Sequence, residues 1–267
     1  MREQDLAGAG VVVTGAGDGI GAALARACAA RGARVVVSDR DATAAHRVAQ
    51  EVSGTTVLAD MSDPDAPARL VQRATEILGR IDLFCGNAGI GTAGGVDADD
   101  LKWEDAWDVN VMAHVRTVRS LLPQWRRDGS GHLLLTVSAA GLLTMVGSAP
   151  YSVTKHAALA LAEWLAITHG PEGVTVQALC PQGVRTRMLE ASGPVGRALL
   201  EPTALDPDEV AERTLADLGG PFLVLPHPEV ARFYAARADD TDRWIGSMTQ
   251  LSTALLPPAG APDPASP

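Results

Sequence analysis

Cysteine is scarce in this chain. Cys28, Cys85 and Cys180 are odd in number, widely spaced and free of any Cys-x-x-Cys. That excludes a disulfide framework and a thiolate zinc knuckle, and it fits buried thiols in a reducing compartment. Positive charge is also short: 22 Lys and Arg stand against 32 Asp and Glu, for a net charge of -10 and a pI near 5.0. A nucleic acid or an anionic membrane needs a concentrated basic surface, so neither is an expected partner. Long apolar runs are missing too. The N-terminus, Met-Arg-Glu-Gln-Asp, leads only to Val11–Val13, too short for a signal-peptide core, and nothing later approaches a membrane span. A soluble cytoplasmic protein is expected. His46, His114, His132, His156, His169 and His227 show no His-Glu-x-x-His and no cysteine at ligand spacing. Zinc catalysis is therefore disfavoured, no metal site is expected, and each histidine reads as a surface or packing residue.

What the chain does have is 267 residues with 46% hydrophobic content, enough for one large core. The expected domain spans residues 1–256. The Pro- and Ala-rich stretch at residues 257–267 cannot bury a core and is expected to be a disordered tail. Val11–Thr14, Arg34–Ser38, Thr56–Leu58, Ile81–Cys85, Leu133–Ser138 and Val174–Leu179 are short apolar or β-branched runs separated by Ala-rich helical stretches. This is a βαβ rhythm. Strands apolar on successive residues need cover on both faces, so the expected fold is α/β: a single doubly wound Rossmann domain, with a parallel sheet between helices. Its sites lie at strand carboxyl ends, where Gly15–Gly21, Asn87-Ala88-Gly89, Ser138 and Pro181 cluster.

The loop Thr14-Gly15-Ala-Gly-Asp18-Gly19-Ile20-Gly21 follows a strand and opens a helix. Glycines there let the backbone approach a pyrophosphate, and the helix N-terminus supplies free N–H groups and a positive dipole end. Asp39 ends the next strand, where a carboxylate accepts from ribose hydroxyls and repels a 2′-phosphate. NAD is expected over NADP, with Arg40 partly offsetting that repulsion. In Tyr151-Ser-Val-Thr-Lys155 the i,i+4 spacing on a helix sends a phenol and an ammonium into one cleft. The nearby cation is expected to bring the phenol down toward the range for proton transfer at neutral pH.

With these motifs in register, the chain resembles the short-chain dehydrogenase/reductase family from about Leu6 to Thr186. The family's Thr-Gly-x-x-x-Gly-x-Gly stands at Thr14 to Gly21, and its Asn-Ala-Gly at Asn87 to Gly89. The resemblance implies a catalytic set of Asn110, Ser138, Tyr151 and Lys155. It implies cofactor contacts at Gly15, Asp18, Gly19, Ile20, Gly21, Asp39, Asp60, Met61, Asn87, Ala88, Gly89, Tyr151, Lys155, Pro181, Val184 and Thr186. The chain departs from the family at Gln182, where glycine is usual; that amide contacts the substrate or carboxamide, or else points to solvent.

The implied activity is NAD-dependent hydride transfer between a secondary alcohol and its ketone. Leu142, Leu143, Met145, Val146 and a flexible lid at about residues 187–205 suggest a hydrophobic substrate. Arg185, Arg187 and Arg197 either offer a carboxylate partners or are simply solvated. The helix Ser152–Thr168 is apolar nearly all round. A homotetramer or homodimer contact, which the resemblance implies, would cover it; the chain's own helices near Pro228–Leu251 are the alternative. Two other functions stay open, a noncatalytic dinucleotide-binding sensor and an NADPH-dependent ketoreductase acting on carrier-bound acyl chains.

Overall fold

A computed structural model describes residues 1–256, so the expected tail at residues 257–267 lies outside the described residues. The strands β1 (Gly10–Thr14), β2 (Arg34–Ser38), β3 (Thr55–Thr56), β4 (Leu83–Gly86), β5 (Gly131–Thr136), β6 (Val174–Leu179) and β7 (Leu223–Val224) form one sheet. Their order is β3-β2-β1-β4-β5-β6-β7, and every neighbouring pair is parallel. The helices are α1 (Gly19–Ala30), α2 (Ala42–Glu51), α3 (Ala66–Leu78), α4 (Asp100–Trp107), α5 (Ala113–Asp128) and α6 (Ala140–Leu143). They continue with α7 (Ala149–His169), α8 (Arg187–Glu190), α9 (Gly193–Leu200), α10 (Pro207–Ala216), α11 (Pro228–Asp239) and α12 (Thr241–Leu255).

Consecutive apolar residues in the strands serve two cores. Val12, Val36, Phe84, Leu133 and Val176 pack with α3, α5 and α7 on one face. Val11, Val13, Val35, Leu83 and Leu134 pack with α1, α2 and α10 on the other. The side-chain period of two sends neighbours to opposite faces, so a strand covered on both sides must be apolar throughout. The sequence order reverses between β1 and β4, the switch point at which sheets of this kind place their ligands.

The structure departs from the sequence expectations in three places. The third strand is only Thr55–Thr56, although Val57 N and Ala59 N still donate to Val37 O and Asp39 O. A seventh strand, Leu223–Val224, pairs with Ala178 and Leu179 of β6. The lid is not an irregular loop: α8, α9 and a 3-10 turn at Glu201–Thr203 occupy it. Pro194 sits in the first turn of α9, where its missing N–H costs nothing. No described helix is long and apolar enough to cross a membrane.

Candidate active site

The glycine loop turns sharply out of β1. Gly15 has φ +60° and Gly19 φ +53°, the left-handed region that favours glycine. A Cβ on Gly21 would lie 2.1 Å from Gly15 O and 2.6 Å from Asn87 Nδ2, so only glycine allows this approach. The loop runs into the N-terminus of α1, whose free N–H groups and dipole suit a pyrophosphate. The residues present therefore fit a dinucleotide. Asn87 fastens the loop from the β4 side: Nδ2 donates to Thr14 O at 3.1 Å and to Gly15 O at 3.3 Å, while Oδ1 accepts from Thr136 Oγ1 at 3.0 Å. Thr14 Oγ1 accepts from Asn87 N and Ala88 N, both at 3.0 Å. Sequence reading gave this threonine a place in the motif and no task.

Asp39 sits at the end of β2, facing the loop. Its Oδ2 accepts from Gly17 N at 2.9 Å and its Oδ1 from Asp41 N at 2.9 Å. Each oxygen has a second lone pair for another donor. Asp60 accepts from Ser62 N at 3.0 Å and Ser62 Oγ at 2.8 Å, and these bonds hold its carboxyl below the ordinary range. Met61 beside it is buried.

Ser138, Tyr151, Lys155 and Asn110 come together beyond the ends of β4 and β5. Ser138 has φ +96°, a strained conformation for a side chain-bearing residue, and its Oγ accepts from Ala140 N at 3.2 Å. Pro150 lies in the first turn of α7, so the helix starts ahead of Tyr151 and carries Tyr151 and Lys155 on one side. Lys155 is 3% exposed. Its Nζ donates to Thr136 O at 2.9 Å and lies 5.6 Å from the centre of the Tyr151 ring. A Cβ on Gly89 would stand 3.1 Å from Asn110 Oδ1 and 3.2 Å from Lys155 Nζ, so these groups meet at the Asn-Ala-Gly turn.

Asn110 lies in a π-turn, Asp108–Met112, between α4 and α5. Its Oδ1 accepts from Ile90 N at 2.9 Å, and its Nδ2 donates to Ile90 O at 3.0 Å and Thr154 Oγ1 at 3.1 Å. The amide thereby ties the loop after β4 to α7, one residue before Lys155.

Electrostatically the pair differs from the sequence expectation. Burial pushes the Tyr151 phenol above its ordinary value, and the neighbouring Ser138 hydroxyl only partly offsets this. Burial draws Lys155 down to about 8. Removal from water outweighs mutual influence, because the ammonium lies by the ring and is aimed at Thr136 O. Burial pushes the Cys180 thiol up to about 12, against the opposing pull of the same ammonium.

The segment after β6 forms the opposite wall. Pro181 O accepts from Ala139 N at 2.8 Å, joining this wall to the Ser138 loop. Val184 forms a parallel bridge with Leu205. Thr186 Oγ1 donates to Val184 O at 3.2 Å, and a Cβ on Gly19 would meet Thr186 Cγ2 at 2.9 Å. Gln182 does not send its amide oxygen to solvent: Oε1 is buried, with no donor among the described residues. Its N–H donates to His227 Nδ1 at 3.1 Å. Sequence reading missed His227, whose bonds to backbone atoms leave no pattern.

The lid rests on these walls. A Cβ on Gly196 would lie 3.6 Å from Met145 Cε, and one on Gly91 3.5 Å from Met188 Cγ. Arg187 pairs with Asp18 of the glycine loop at 2.5 Å. Arg185 pairs with Asp206 at 2.7 Å and Arg197 donates to Glu190 O at 3.2 Å, so all three arginines have partners within the chain. Asp18 is thus one cofactor-loop residue whose side chain is engaged by the lid. Val153 (48% exposed), Trp164 (57%) and Ile167 (77%) leave the outer side of α7 open, and the described part of α11 and α12 does not cover it.

A family model described as short chain dehydrogenase matches residues 9–194. The chain is 39% identical over 188 residues to 1-deoxy-11-beta-hydroxypentalenate dehydrogenase of Streptomyces exfoliatus, covering 67% of this chain and 68% of that protein. It is 32% identical over 193 residues to oxidoreductase UcpA of Escherichia coli K12, covering 70% and 73%. A short chain dehydrogenase/reductase from Burkholderia phymatum, solved in complex with NAD, superposes with TM-score 0.83 at 27% identity, covering 91% of this chain and 96% of that one. A 3-ketoacyl-(acyl-carrier-protein) reductase from Brucella melitensis, complexed with NADH, gives TM-score 0.75 at 28% identity, covering 84% and 99%. With the glycine loop, the Asn-Ala-Gly turn and the sheet order all in register, the chain belongs to the short-chain dehydrogenase/reductase family, whose members are oxidoreductases acting on CH–OH groups.

Proposed function

We propose that this chain interconverts a hydrophobic secondary alcohol and its ketone by hydride transfer, using NAD in preference to NADP. The observation that carries the reading is the meeting of Ser138, Tyr151 and Lys155 beside a glycine cradle that any Cβ would fill. When bound, a nicotinamide supplies or accepts the hydride. Gly15, Asp18, Gly19, Ile20 and Gly21 would hold its pyrophosphate, Asp39 its adenosine ribose, and Asp60 with Met61 its adenine. Asn87, Ala88, Gly89, Pro181, Val184 and Thr186 would line the nicotinamide end. The Asp39 carboxylate disfavours a 2′-phosphate, and the similar structures with NAD and NADH support the same choice.

Tyr151 exchanges a proton with the substrate oxygen, and Ser138 donates a hydrogen bond to it. Such a donor aimed at developing charge typically lowers a barrier by about 2–4 kcal/mol. Lys155, in its charged form, favours phenolate and orients the nucleotide. Asn110 acts by fixing Ile90 and Thr154 around the lysine. Because burial holds the phenol above its ordinary range, Tyr151 is protonated at neutral pH, ready to donate to a carbonyl oxygen. Met145 and the lid's Met188, which lie beside Gly196 and Gly91, support an apolar substrate, whereas Leu142 and Leu143 are packed into the core behind the site. One relative is named for a hydroxylated substrate, hydroxypentalenate. The open apolar stripe on α7 supports self-association as a dimer or tetramer, and the free, buried Cys28, Cys85 and Cys180 support a reducing, cytoplasmic setting.

The test is a panel of secondary alcohols and ketones with NAD and NADP, following absorbance of the reduced nicotinamide. Tyr151→Phe should fold and bind NAD yet lose nearly all turnover. Activity retained in that variant would sink the assignment of the acid–base group.

A further inference from the structure

His227 stands at the position just before α11, makes no side-chain cap to that helix, and is 1% exposed. Its Nδ1 faces Gln182 N at 3.1 Å and its Nε2 faces Gly183 O at 3.0 Å. A backbone N–H only donates and a carbonyl only accepts. The ring must therefore be neutral, with its hydrogen on Nε2. The two bonds end on the Pro181–Gln182 and Gly183–Val184 peptide units, so a single imidazole spans the Gln182-Gly183 turn.

This short turn is the point where three segments join. Gly183 O also accepts from Leu205 N at 3.1 Å, which ties in the end of the lid. A Cβ on Gly183 would fall 2.1 Å from Leu200 O, so α9 rests directly on this backbone. On one side, Pro181 O holds Ala139 N next to Ser138; on the other, Val184 and Thr186 follow within three residues. Gln182, where the family usually has glycine, leaves its own Oε1 buried and unpartnered here, so its side chain does not hold the turn.

We infer that His227 is a positioning residue for the cofactor-contacting loop. In its Nε2–H form it clamps the Pro181–Gln182 and Gly183–Val184 peptides across the turn, and through them sets the presentation of Val184 and Thr186 and the seat of the lid. Protonation would put a second donor against Gln182 N–H and release the clamp. The inference rests on the proposed reading of this loop as the nicotinamide wall. Glu229 on α11 and Glu209 on α10 favour the charged ring, whereas burial, the largest influence, and Arg213 on α10 oppose it. Arg213 itself is bound to Pro226 O and to Glu209 at 2.6 Å. The net effect holds the ring below its ordinary value, so the clamp stays closed at neutral pH.

The experiment compares the full chain with His227→Asn and His227→Leu. The readouts are NADH dissociation constants from fluorescence between roughly pH 5 and 8, turnover at saturating cofactor, and melting of the cofactor-free proteins. Asparagine keeps an oxygen that can accept from Gln182 N–H and does not titrate. It should hold near-native affinity at neutral pH and lose the wild type's extra fall in affinity at acid pH. Leucine leaves the Gln182 donor unpaired and should weaken NADH binding roughly tenfold, with a smaller change in turnover at saturation. Native NADH affinity in a folded His227→Leu protein would overturn the inference, even if melting fell. Should that variant not fold, identical acid profiles in wild type and His227→Asn would overturn it instead. A wild type that binds neither NADH nor NADPH would sink the proposed function as well, and so is told apart from failure of the clamp alone.

Discussion

Lys155→Met tests whether the site ammonium is truly held out of water. In the wild type Nζ is 3% exposed and bonded to Thr136 O at 2.9 Å, and burial draws its pKa from 10.5 to about 8. A cation whose folded-state pKa is depressed loses its proton sooner when folded. Below pH 8 both states are protonated and the cost of burying the charge is fully present. Between about 8 and 10.5 the unfolded chain binds more protons, so stability rises with pH. The gap from 10.5 to about 8 corresponds to roughly 3 kcal/mol. Methionine cannot titrate. It leaves Thr136 O without its donor, a cost that is constant across pH and changes the offset but not the slope. Tyr151, raised above 10, loses stability only on the alkaline side of that value, and it is common to both proteins. Cys180, at about 12 when folded against 9.0 when unfolded, lowers stability above about pH 9, and it too is common to both proteins. Urea denaturation of the cofactor-free proteins in steps from pH 7 to 10.5 should therefore show the wild type gaining about 3 kcal/mol on the variant. A difference that stays flat across the window would refute the burial argument and mean that water reaches the ammonium.

Two further outcomes follow from the same geometry. With Tyr151 protonated at rest, ketone reduction should be near its plateau at neutral pH, whereas alcohol oxidation should climb through the alkaline range; oxidation already at its plateau at pH 7 would contradict the raised phenol. Trp164→Glu, on the open side of α7, should shift the light-scattering mass of the protein toward that of one chain at micromolar concentration. A wild type that is already monomeric would remove self-association altogether.

Much of this was legible because particular residues have few alternative uses. Val11, Val12 and Val13 in succession make sense only in a strand covered on both faces, and both cores claim them. Gly15, Gly19 and Gly21 were identifiable because side chains at those points collide or are strained. The seventh strand was not visible, since Leu223–Val224 is too short to show a period and forms only by pairing with β6. The lid differs for another reason: the stretch expected to be flexible is helical, because proline in the first turn of α9 starts a helix, and a Cβ on Gly196 would fall 2.5 Å from Ser192 Cβ. His227 acts on backbone atoms 45 and 44 residues away, and backbone partners have no sequence signature. The phenol's direction was misjudged because i,i+4 spacing reports proximity and says nothing of how much water the fold removes.

The distribution of cost across the molecule bears on why the site exists. Ser138 holds a strained φ of +96°, a penalty of order 1–3 kcal/mol. Lys155 adds a desolvated charge of similar size, and Gln182 Oε1 and His114 Nε2 are buried without partners among the described residues. Nucleotide binding alone asks for none of this: a glycine cradle, a helix N-terminus and Asp39 would suffice. A strained serine and a buried ammonium are useful only where charge and protons move on a substrate oxygen, because a preformed, dry arrangement need not reorganise during the step. The two apolar layers behind β4 and β5 make such an arrangement tolerable, since Phe84, Leu133 and Leu135 hold the strand ends rigid while the loops beyond them carry the strain. A sensor built on this fold would be more stable without Lys155. Its presence, with Ser138 and Tyr151 in reach, therefore weighs for catalysis over mere recognition.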